Sequence, residues 1–167
     1  GYEMFGFECV KVPFDMTVEA GALDAGIDYG DAVTLPQVRE HLKLGPIDVP
    51  PNFLTLGRIP TVLQAVSELR NRYVQQVAVV CSVVGPFSLA SMLFGFSDFF
   101  TATVDNPGRC KDVLRSLTCI CIEYAQALIA AGADLIQIGE AAASGELISP
   151  GTYRDLVAPC HRVIAHS

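Results

Sequence analysis

Six polar residues lie in or just after three apolar segments of the sequence, at positions where they could do chemistry. They are Asp15 and Glu19 after the first segment, Ser82 in the second, and Gln137, Glu140 and Ser144 in or after the third. A carboxylate at the end of a buried strand can act as a general base, accept hydrogen bonds from a substrate or attract a cation. We therefore predict that Asp15 and Glu140 are catalytic and that the other four residues bind substrate.

Both acids also have a simpler structural interpretation. Asp15 directly precedes a short predicted helix at residues 17–20, and aspartate is a favoured capping residue. Glu140 could instead form a salt bridge to a neighbouring loop. The functional interpretation requires that the ends of the three segments meet at one edge of a sheet, so that the acids at 15 and 140 open onto a common cavity.

The apolar segments at residues 7–14, 77–84 and 134–138 have the composition of strands. The continuous apolar run of the second is typical of a strand buried in a parallel sheet. Pro60, Asn106-Pro107 and Ser149-Pro150 each predict the start of a helix, since proline is tolerated in a first turn. Strands that alternate with helices indicate right-handed βαβ units in a single α/β domain over residues 1–167.

Two further sections have weaker signals. Residues 21–52 contain several glycines and prolines, which predicts an irregular excursion that is long enough to be functional. Residues 87–95 are predicted to form a helix, and Ser97 is predicted to cap a short helix that follows. Pro159 is a candidate for a kink in the last helix.

The composition excludes some classes of function. A net charge of −7 with scattered basic residues argues against a nucleic-acid partner. Residues 77–97 are uncharged and long enough to span a bilayer, but Gly85-Pro86 interrupts them, so we predict a buried strand followed by a helix and no membrane association. We expect a cytoplasmic protein whose six cysteines are free thiols.

Clustered metal ligands are not expected from the spacing of cysteine and histidine. Cys119 and Cys121 lie two residues apart in a predicted helix and therefore point to different sides. His41, His161 and His166 are interpreted as solvated or capping residues rather than ligands.

Three segments resemble the uroporphyrinogen decarboxylase superfamily. Residues 80–93 (VCSVVGPFSLASML) resemble its strand-turn-helix signature, and residues 132–150 resemble its stretch that begins Gly-Ala-Asp and ends Ser-Pro. Residues 3–20 are similar to the early strand of its methylcobamide:coenzyme M methyltransferase members, the methanol- or methylamine-specific type. The resemblance implies part of a TIM (β/α)8 barrel, and since a complete barrel takes about 250 residues, three or four parallel strands are expected.

Within the superfamily, the resemblance favours the methyltransferase branch. Asp15 matches the aspartate that the decarboxylase members use, but their tyrosine and serine in the pocket correspond here to Met92 and Ala141. The methyltransferases move a methyl group from a methylated corrinoid protein, with methylcobalamin as the substrate on that partner, to the thiol of coenzyme M. Their zinc ligands are a His-x-Cys and a later Cys that this chain lacks, so the resemblance implies zinc in a full-length parent and an inactive fragment here.

Two other functions are compatible with the sequence. The first is an enzyme of porphyrin biosynthesis that resembles uroporphyrinogen decarboxylase. The second is a half-barrel without activity of its own, whose open sheet edges drive association into a homo-oligomer. The chain begins and stops close to apparent elements, which we interpret as a fragment.

Overall fold

The protein is built around a parallel sheet whose strands alternate with helices. The computed structural model describes residues 2–74 and 76–167, so Gly1, where the expected fragment boundary falls, lies outside the described residues. In chain order the elements are α1 (Tyr2–Phe5), β1 (Cys9–Val12), α2 (Val18–Ala22), β2 (Gly26–Asp28), β3 (Gln37–Glu40), a 3₁₀ turn (Phe53–Thr55), α3 (Ile59–Arg72), β4 (Ala78–Val84), α4 (Pro86–Phe94), α5 (Phe96–Asp105), α6 (Pro107–Ala131), β5 (Leu135–Gly139), a second 3₁₀ turn (Ala141–Ala143), α7 (Pro150–Thr152), a π-helical turn (Tyr153–Val157) and α8 (Ala158–Ala165).

Strands β1, β4 and β5 form the central sheet in the order β1-β4-β5, and both pairings are parallel. The three strands and their parallel arrangement were predicted from the sequence, and both predictions are confirmed. The spatial order follows the chain order, as it does in a barrel. A doubly wound sheet would reverse its order at a switch point.

The two faces of the sheet have different environments. Helices α3 and α6 cover one face, where Val79, Cys81 and Val83 are fully buried. On the other face, Leu135 is 52% exposed, and Gln137 next to it is also exposed. A sheet with helices on only one side is expected in a segment of a barrel, because the uncovered side would face the barrel interior.

Helix α6 supplies much of the core and has the predicted ends. The Asn106 side chain accepts a hydrogen bond from the Arg109 amide at 3.2 Å, and Gly132 ends the helix in the left-handed conformation with φ of 115°. Burial of an aliphatic side chain stabilises a fold by roughly 1.5–3 kcal/mol. The residues of α6 that are buried in the core are Cys110, Val113, Leu114, Leu117, Thr118, Ile120, Cys121, Tyr124, Ala125 and Leu128.

By length and composition alone, α6 could cross a membrane, although half of its most apolar window is buried inside the protein. Helices α4 and α5 together pass the same test, but they bend by 115° where they meet. Packing of α6 against the sheet, and of α4 and α5 against α6, accounts for the apolar character of these helices. The predicted division of residues 77–97 at Gly85-Pro86 into a strand and a helix is confirmed.

The prediction that Ser97 caps a short helix is wrong. Helix α5 begins at Phe96, with Gly95 at the N-cap position, and continues to Asp105. Gly95, the single residue between the two helices, adopts a positive φ of 81°, which allows the sharp bend from α4 to α5. Burial of Phe99 and Ala102 explains why the helix continues for ten residues.

The excursion contains a small antiparallel pair, β2 with β3, that the sequence did not predict. Its strands are three and four residues long and mostly exposed, so they show no apolar alternation. The two strands approach closely at Gly26, where a Cβ would lie 2.6 Å from the Glu40 Cβ. Contacts between residues distant in sequence therefore determine this pairing.

The last helical segment begins as predicted, with the Ser149 hydroxyl accepting a hydrogen bond from the Thr152 amide at 3.0 Å. The predicted irregularity at Pro159 takes the form of a π-helical turn over Tyr153–Val157, directly before α8. Proline cannot donate a hydrogen bond to the preceding turn, which explains why the helix is irregular there.

Candidate active-site rim

The C-terminal ends of the three parallel strands lie at one edge of the sheet, which we call the rim. Val12 pairs with Cys81, and Val84 pairs with Gly139, so Asp15 is level with the end of β4 and Glu140 follows directly beyond β5. The loop after β1 extends across to β5, because the Met16 Cε lies only 3.2 Å from where a Cβ on Gly139 would be. The two predicted acids therefore share the same rim.

Asp15 is held by its own turn and by an arginine. Its Oδ1 accepts hydrogen bonds from the Thr17 amide at 2.9 Å and the Thr17 hydroxyl at 2.7 Å. Its Oδ2 forms an ion pair with the Arg58 guanidinium, and 19% of the Asp15 side chain remains exposed. Asp15 thus closes a turn just before α2, but it does not cap that helix: Thr17 is the N-cap residue, and α2 has no side-chain capping hydrogen bond.

Arg58, which precedes α3, is a rim residue that the sequence did not indicate. Its guanidinium also donates to the Thr17 hydroxyl at 3.0 Å and lies 4.5 Å from the centre of the Tyr29 ring. Tyr29 belongs to the excursion, so this section of chain does contribute to the rim. The contact is typical of a cation–π interaction.

Glu19 lies behind the rim, and the expectation that it lines the opening is wrong. It is only 1% exposed, and its Oε1 accepts a hydrogen bond from the Val84 amide at 2.8 Å. Burial raises the pKa of Glu19 to about 7; the bond from Val84 opposes this rise, and the charge of Asp15 adds to it. Its carboxyl group fixes the end of β4 from the helix-covered side.

Tyr124 and Cys121 on α6 belong to the same buried region. The Tyr124 hydroxyl is buried without a hydrogen-bond partner among the described residues, and burial, with the nearby Glu19, raises the pKa of Tyr124. The Cys121 thiol donates to the Val84 carbonyl at 3.1 Å, and burial raises its pKa well above the usual value. These groups are protonated at neutral pH and serve packing.

Glu140 holds the N-terminus of α4 with both carboxylate oxygens. Oε1 accepts from the Phe87 amide at 2.9 Å, and Oε2 accepts from the Ser88 amide at 2.8 Å. The positive end of the helix dipole favours a carboxylate at this position. The carboxylate also fills the space next to Gly85, where a Cβ would lie 2.4 Å from its Oε1.

His161 lies beside Glu140 and not in solvent as interpreted from the sequence. Its Nε2 is 3.6 Å from the Glu140 Oε1, and its Nδ1 is 3.3 Å from the Tyr153 hydroxyl. The π-helical turn before α8 brings this histidine and tyrosine together. His166, in contrast, makes a contact of the predicted capping kind, with its Nδ1 2.6 Å from the Arg162 carbonyl oxygen.

Two predicted substrate-binding residues lie together on the uncovered face of the sheet, below the rim. Ser82 pairs with Gln137 across β4 and β5, and the Lys11 ammonium donates to the Gln137 Oε1 at 2.8 Å. The Ser82 hydroxyl is buried and has no hydrogen-bond partner among residues 2–74 and 76–167. Ser144 lies further along the loop after β5, where its carbonyl accepts hydrogen bonds from the Leu147 and Ile148 amides at 3.0 Å.

The described residues do not fit a zinc site. Among residues 2–74 and 76–167, no three His, Cys, Asp or Glu side chains come close enough to share a metal ion. Cys119 is exposed, whereas Cys121 two residues later is buried, as their helical spacing predicts. The oxygens of Glu140, beside His161, already accept backbone hydrogen bonds.

The parallel sheet, with helices on one face and polar residues along the C-terminal ends of its strands, defines an α/β fold of the parallel-barrel class. The Uroporphyrinogen decarboxylase (URO-D) family matches residues 1–167 of the sequence. The chain belongs to this family, and its fold is part of the corresponding barrel.

Known relatives place the chain among methyltransferase-like members. The chain is 37% identical to a methylcobamide:CoM methyltransferase (MtbA) of Methanosarcina mazei, over 98% of this chain and 49% of the relative. It is 32% identical to the corresponding MtaA protein of Methanosarcina barkeri, over 93% of this chain and 47% of the relative. The chain thus spans about half the length of these relatives.

A solved structure supports the same relationship. A methyltransferase from Methanosarcina mazei superimposes with a TM-score of 0.93 at 31% identity, covering 99% of this chain and 50% of the other. A likeness of this extent includes the whole arrangement of sheet, excursion and helices. The predicted partial barrel is therefore confirmed.

Proposed function

We propose that this chain is part of a methyltransferase that moves a methyl group from a methylated corrinoid protein to the thiol of coenzyme M. The identity to relatives named methylcobamide:CoM methyltransferases carries this proposal. The shared rim supports it, because Asp15 and Glu140 lie where a barrel enzyme carries its active residues. The corrinoid protein is the proposed partner, with methylcobalamin as its bound substrate, and the cytoplasm is the proposed location.

The proposed roles follow the surroundings of each residue. Asp15 is paired with Arg58 but keeps part of its side chain exposed at the rim, where it is proposed to contact substrate. Glu140 holds α4 and lies beside His161 at the opposite side of the rim. Ser82, Gln137 and Ser144 are proposed to bind substrate. Glu19 is assigned a positioning role through Val84, because its carboxyl group is buried.

Zinc is proposed only for the longer protein, on sequence that flanks this chain. The described residues do not fit the ion, so no step of the reaction is assigned to zinc here. We propose that the chain is inactive without that flanking sequence.

A transfer assay tests this function. The protein that contains this chain together with its flanking sequence should demethylate methylcobalamin in the presence of coenzyme M, and the 167-residue chain should not. Asp15→Asn should lower the rate about tenfold or more, an effect typical of a general acid or base. Asp105→Asn, at an exposed position on α5, is the matched control and should leave the rate unchanged.

Decarboxylation of uroporphyrinogen by the longer protein, without methyl transfer to coenzyme M, would refute the proposal. That activity was the alternative enzyme function. Met92 and Ala141 stand where the decarboxylase members carry polar groups, so the residues of this chain favour methyl transfer.

A second candidate function is association through the open sheet. Within the described residues, β1 and β5 each pair on one side only, and Leu135 on the uncovered face is 52% exposed. Unpaired edges and exposed apolar surface favour self-association into a homo-oligomer.

Size-exclusion chromatography at several concentrations should show this chain as a dimer or larger species. Leu135→Glu should shift the equilibrium towards monomer, because it places a charge on the uncovered face. Leu147→Glu, at a position that is also 52% exposed but outside the sheet, should not. A chain that elutes as a monomer at every concentration would contradict the association function.

A further inference from the structure

Lys11 is the only charged residue in the three strands of the central sheet, whose sequences are CVKV, AVVCSVV and LIQIG. The interior of a parallel barrel is normally packed with branched apolar side chains. Lys11 is partly exposed on the uncovered face of the sheet. In a complete barrel this face would line the interior, where a charged group is costly unless it has a partner. Lys11 therefore requires an explanation beyond packing.

Lys11 has donors that the described residues do not use. One N–H of its ammonium group donates to the Gln137 Oε1 at 2.8 Å, and an ammonium group has three. The ion pairs of the described residues involve other cations, and the acids of the rim are already engaged: Asp15 by Arg58, and Glu140 by the amides of α4. Lys11 is thus an uncompensated positive charge in a chain of net charge −7.

Ser82 provides an independent observation. It is 5% exposed, and its hydroxyl has no hydrogen-bond partner among residues 2–74 and 76–167. In the sheet, Ser82 pairs with Gln137, and Val80 pairs with Lys11. Because Val80 and Ser82 are two residues apart in β4, all four side chains lie on the same face of the sheet. The Ser82 hydroxyl is therefore on the face where Lys11 contacts Gln137. A buried unpaired hydroxyl carries a desolvation penalty, which a ligand that accepts its hydrogen bond would remove.

We propose that Lys11, Ser82 and Gln137 form a subsite for the sulfonate group of coenzyme M. This inference rests on the proposed function. A sulfonate is fully ionised at neutral pH, and its three oxygens accept hydrogen bonds. Lys11 supplies the charge, Ser82 supplies a hydroxyl donor, and the Gln137 amide NH₂ remains free to donate because its oxygen already accepts from Lys11.

The position of the subsite sets the orientation of the substrate. Lys11 lies four residues before Asp15, and Gln137 lies three residues before Glu140, so the three side chains are below the rim. A sulfonate held there directs the thiol at the other end of the molecule towards the rim. The thiol is the group that would receive the methyl.

Ligand-observed NMR with ethanesulfonate tests the subsite, because this probe has the sulfonate but no thiol. The protein with its flanking sequence should bind ethanesulfonate saturably. Lys11→Met should weaken binding about tenfold or more, which is the loss expected for a charge-assisted contact. Lys11→Arg should retain most of the binding, and Lys111→Met, at an exposed position on α6, should leave it unchanged.

Three outcomes would overturn the subsite: equal binding by Lys11→Met and the unmodified protein, no saturable binding of ethanesulfonate, or tighter binding of inorganic phosphate than of ethanesulfonate. Circular dichroism of Lys11→Met, together with the Lys11→Arg variant, separates loss of the charge from loss of the fold.

The same measurement separates this inference from the proposed function. If ethanesulfonate fails to bind while the protein still methylates coenzyme M, only the subsite is refuted. If it binds at Lys11 but no methyl transfer occurs, the methyltransferase function is refuted. In an active protein, Lys11→Met should raise the KM for coenzyme M with little change in kcat.

Discussion

Replacing Glu19 with glutamine should stabilise the protein at pH 8 by about 3 kcal/mol. At pH 5 the two proteins should differ by less than about 1 kcal/mol. Glutamine has nearly the same shape and keeps an oxygen for the Val84 amide, but it cannot ionise. The expected gain is therefore the free energy that ionisation of a buried carboxyl group costs.

The direction of the pH dependence follows from the raised pKa. Burial raises the pKa of Glu19 from 4.5 to about 7, so the folded protein retains this proton at pH values where the unfolded chain has lost it. The contribution of Glu19 to stability is therefore greatest below pH 4.5 and is lost as the pH rises towards 7. A rise of this size corresponds to about 3 kcal/mol, since one unit of pKa is about 1.4 kcal/mol.

Urea denaturation of both proteins between pH 4.5 and 8.5 measures this effect. Glu146→Gln, on an exposed loop after β5, is the control and should change neither the stability nor its pH dependence. A Glu19→Gln protein that is less stable than the unmodified one at pH 8 would show that the ionised carboxylate contributes favourably, contrary to its burial.

The sequence predicted those elements whose signals are local. Helix α6 begins and ends at the residues that its capping asparagine and terminal glycine indicate, and the strands follow their apolar runs. The β2–β3 pair was missed because its close approach at Gly26 involves Glu40, a residue distant in the sequence. Short exposed strands carry no periodic signal that would have revealed it.

Only part of the site was predicted, again because local signals are visible in the sequence and contacts between distant residues are not. The positions of Asp15 and Glu140 follow from the ends of their strands, so their shared rim could be anticipated. Lys11 was missed because its partner Gln137 lies 126 residues away, and Arg58 was missed because it meets the rim through Asp15. A partial signal for Lys11 was present, since it is a lone charge in an apolar strand.

The burial of the Glu19 carboxyl group could not be deduced from the sequence. It belongs to a helix of only five residues, too short for its apolar face to be recognised. The helix packs between the ends of β4, α3 and α4, and this tertiary arrangement removes the carboxyl group from water. The same arrangement keeps Glu19 out of the opening and supports its proposed positioning role.

The second large effect is expected where Glu140 and Gly85 meet. Glu140→Ala should destabilise the protein by about 3 kcal/mol, because two hydrogen bonds to a carboxylate, each worth about 1.5–3 kcal/mol, are lost and partly replaced by water. Gly85→Ala should destabilise it by about 2 kcal/mol, through displacement of the same carboxylate. The backbone itself tolerates alanine at this position, since Gly85 has φ of −67° and ψ of 155°.

The double variant distinguishes this explanation from a general loss of packing. A Cβ on Gly85 would lie 2.4 Å from the Glu140 Oε1 and 2.5 Å from its Cδ, so the conflict exists only while Glu140 is present. In the Glu140→Ala background, Gly85→Ala should therefore have almost no effect, which gives a coupling energy of about 2 kcal/mol. Gly145→Ala, in open space, is the control.

Additive effects of Glu140→Ala and Gly85→Ala would show that the Glu140 side chain moves aside freely. In that case its carboxylate would not fix α4, and the rim would lack the rigid side that the proposed function requires.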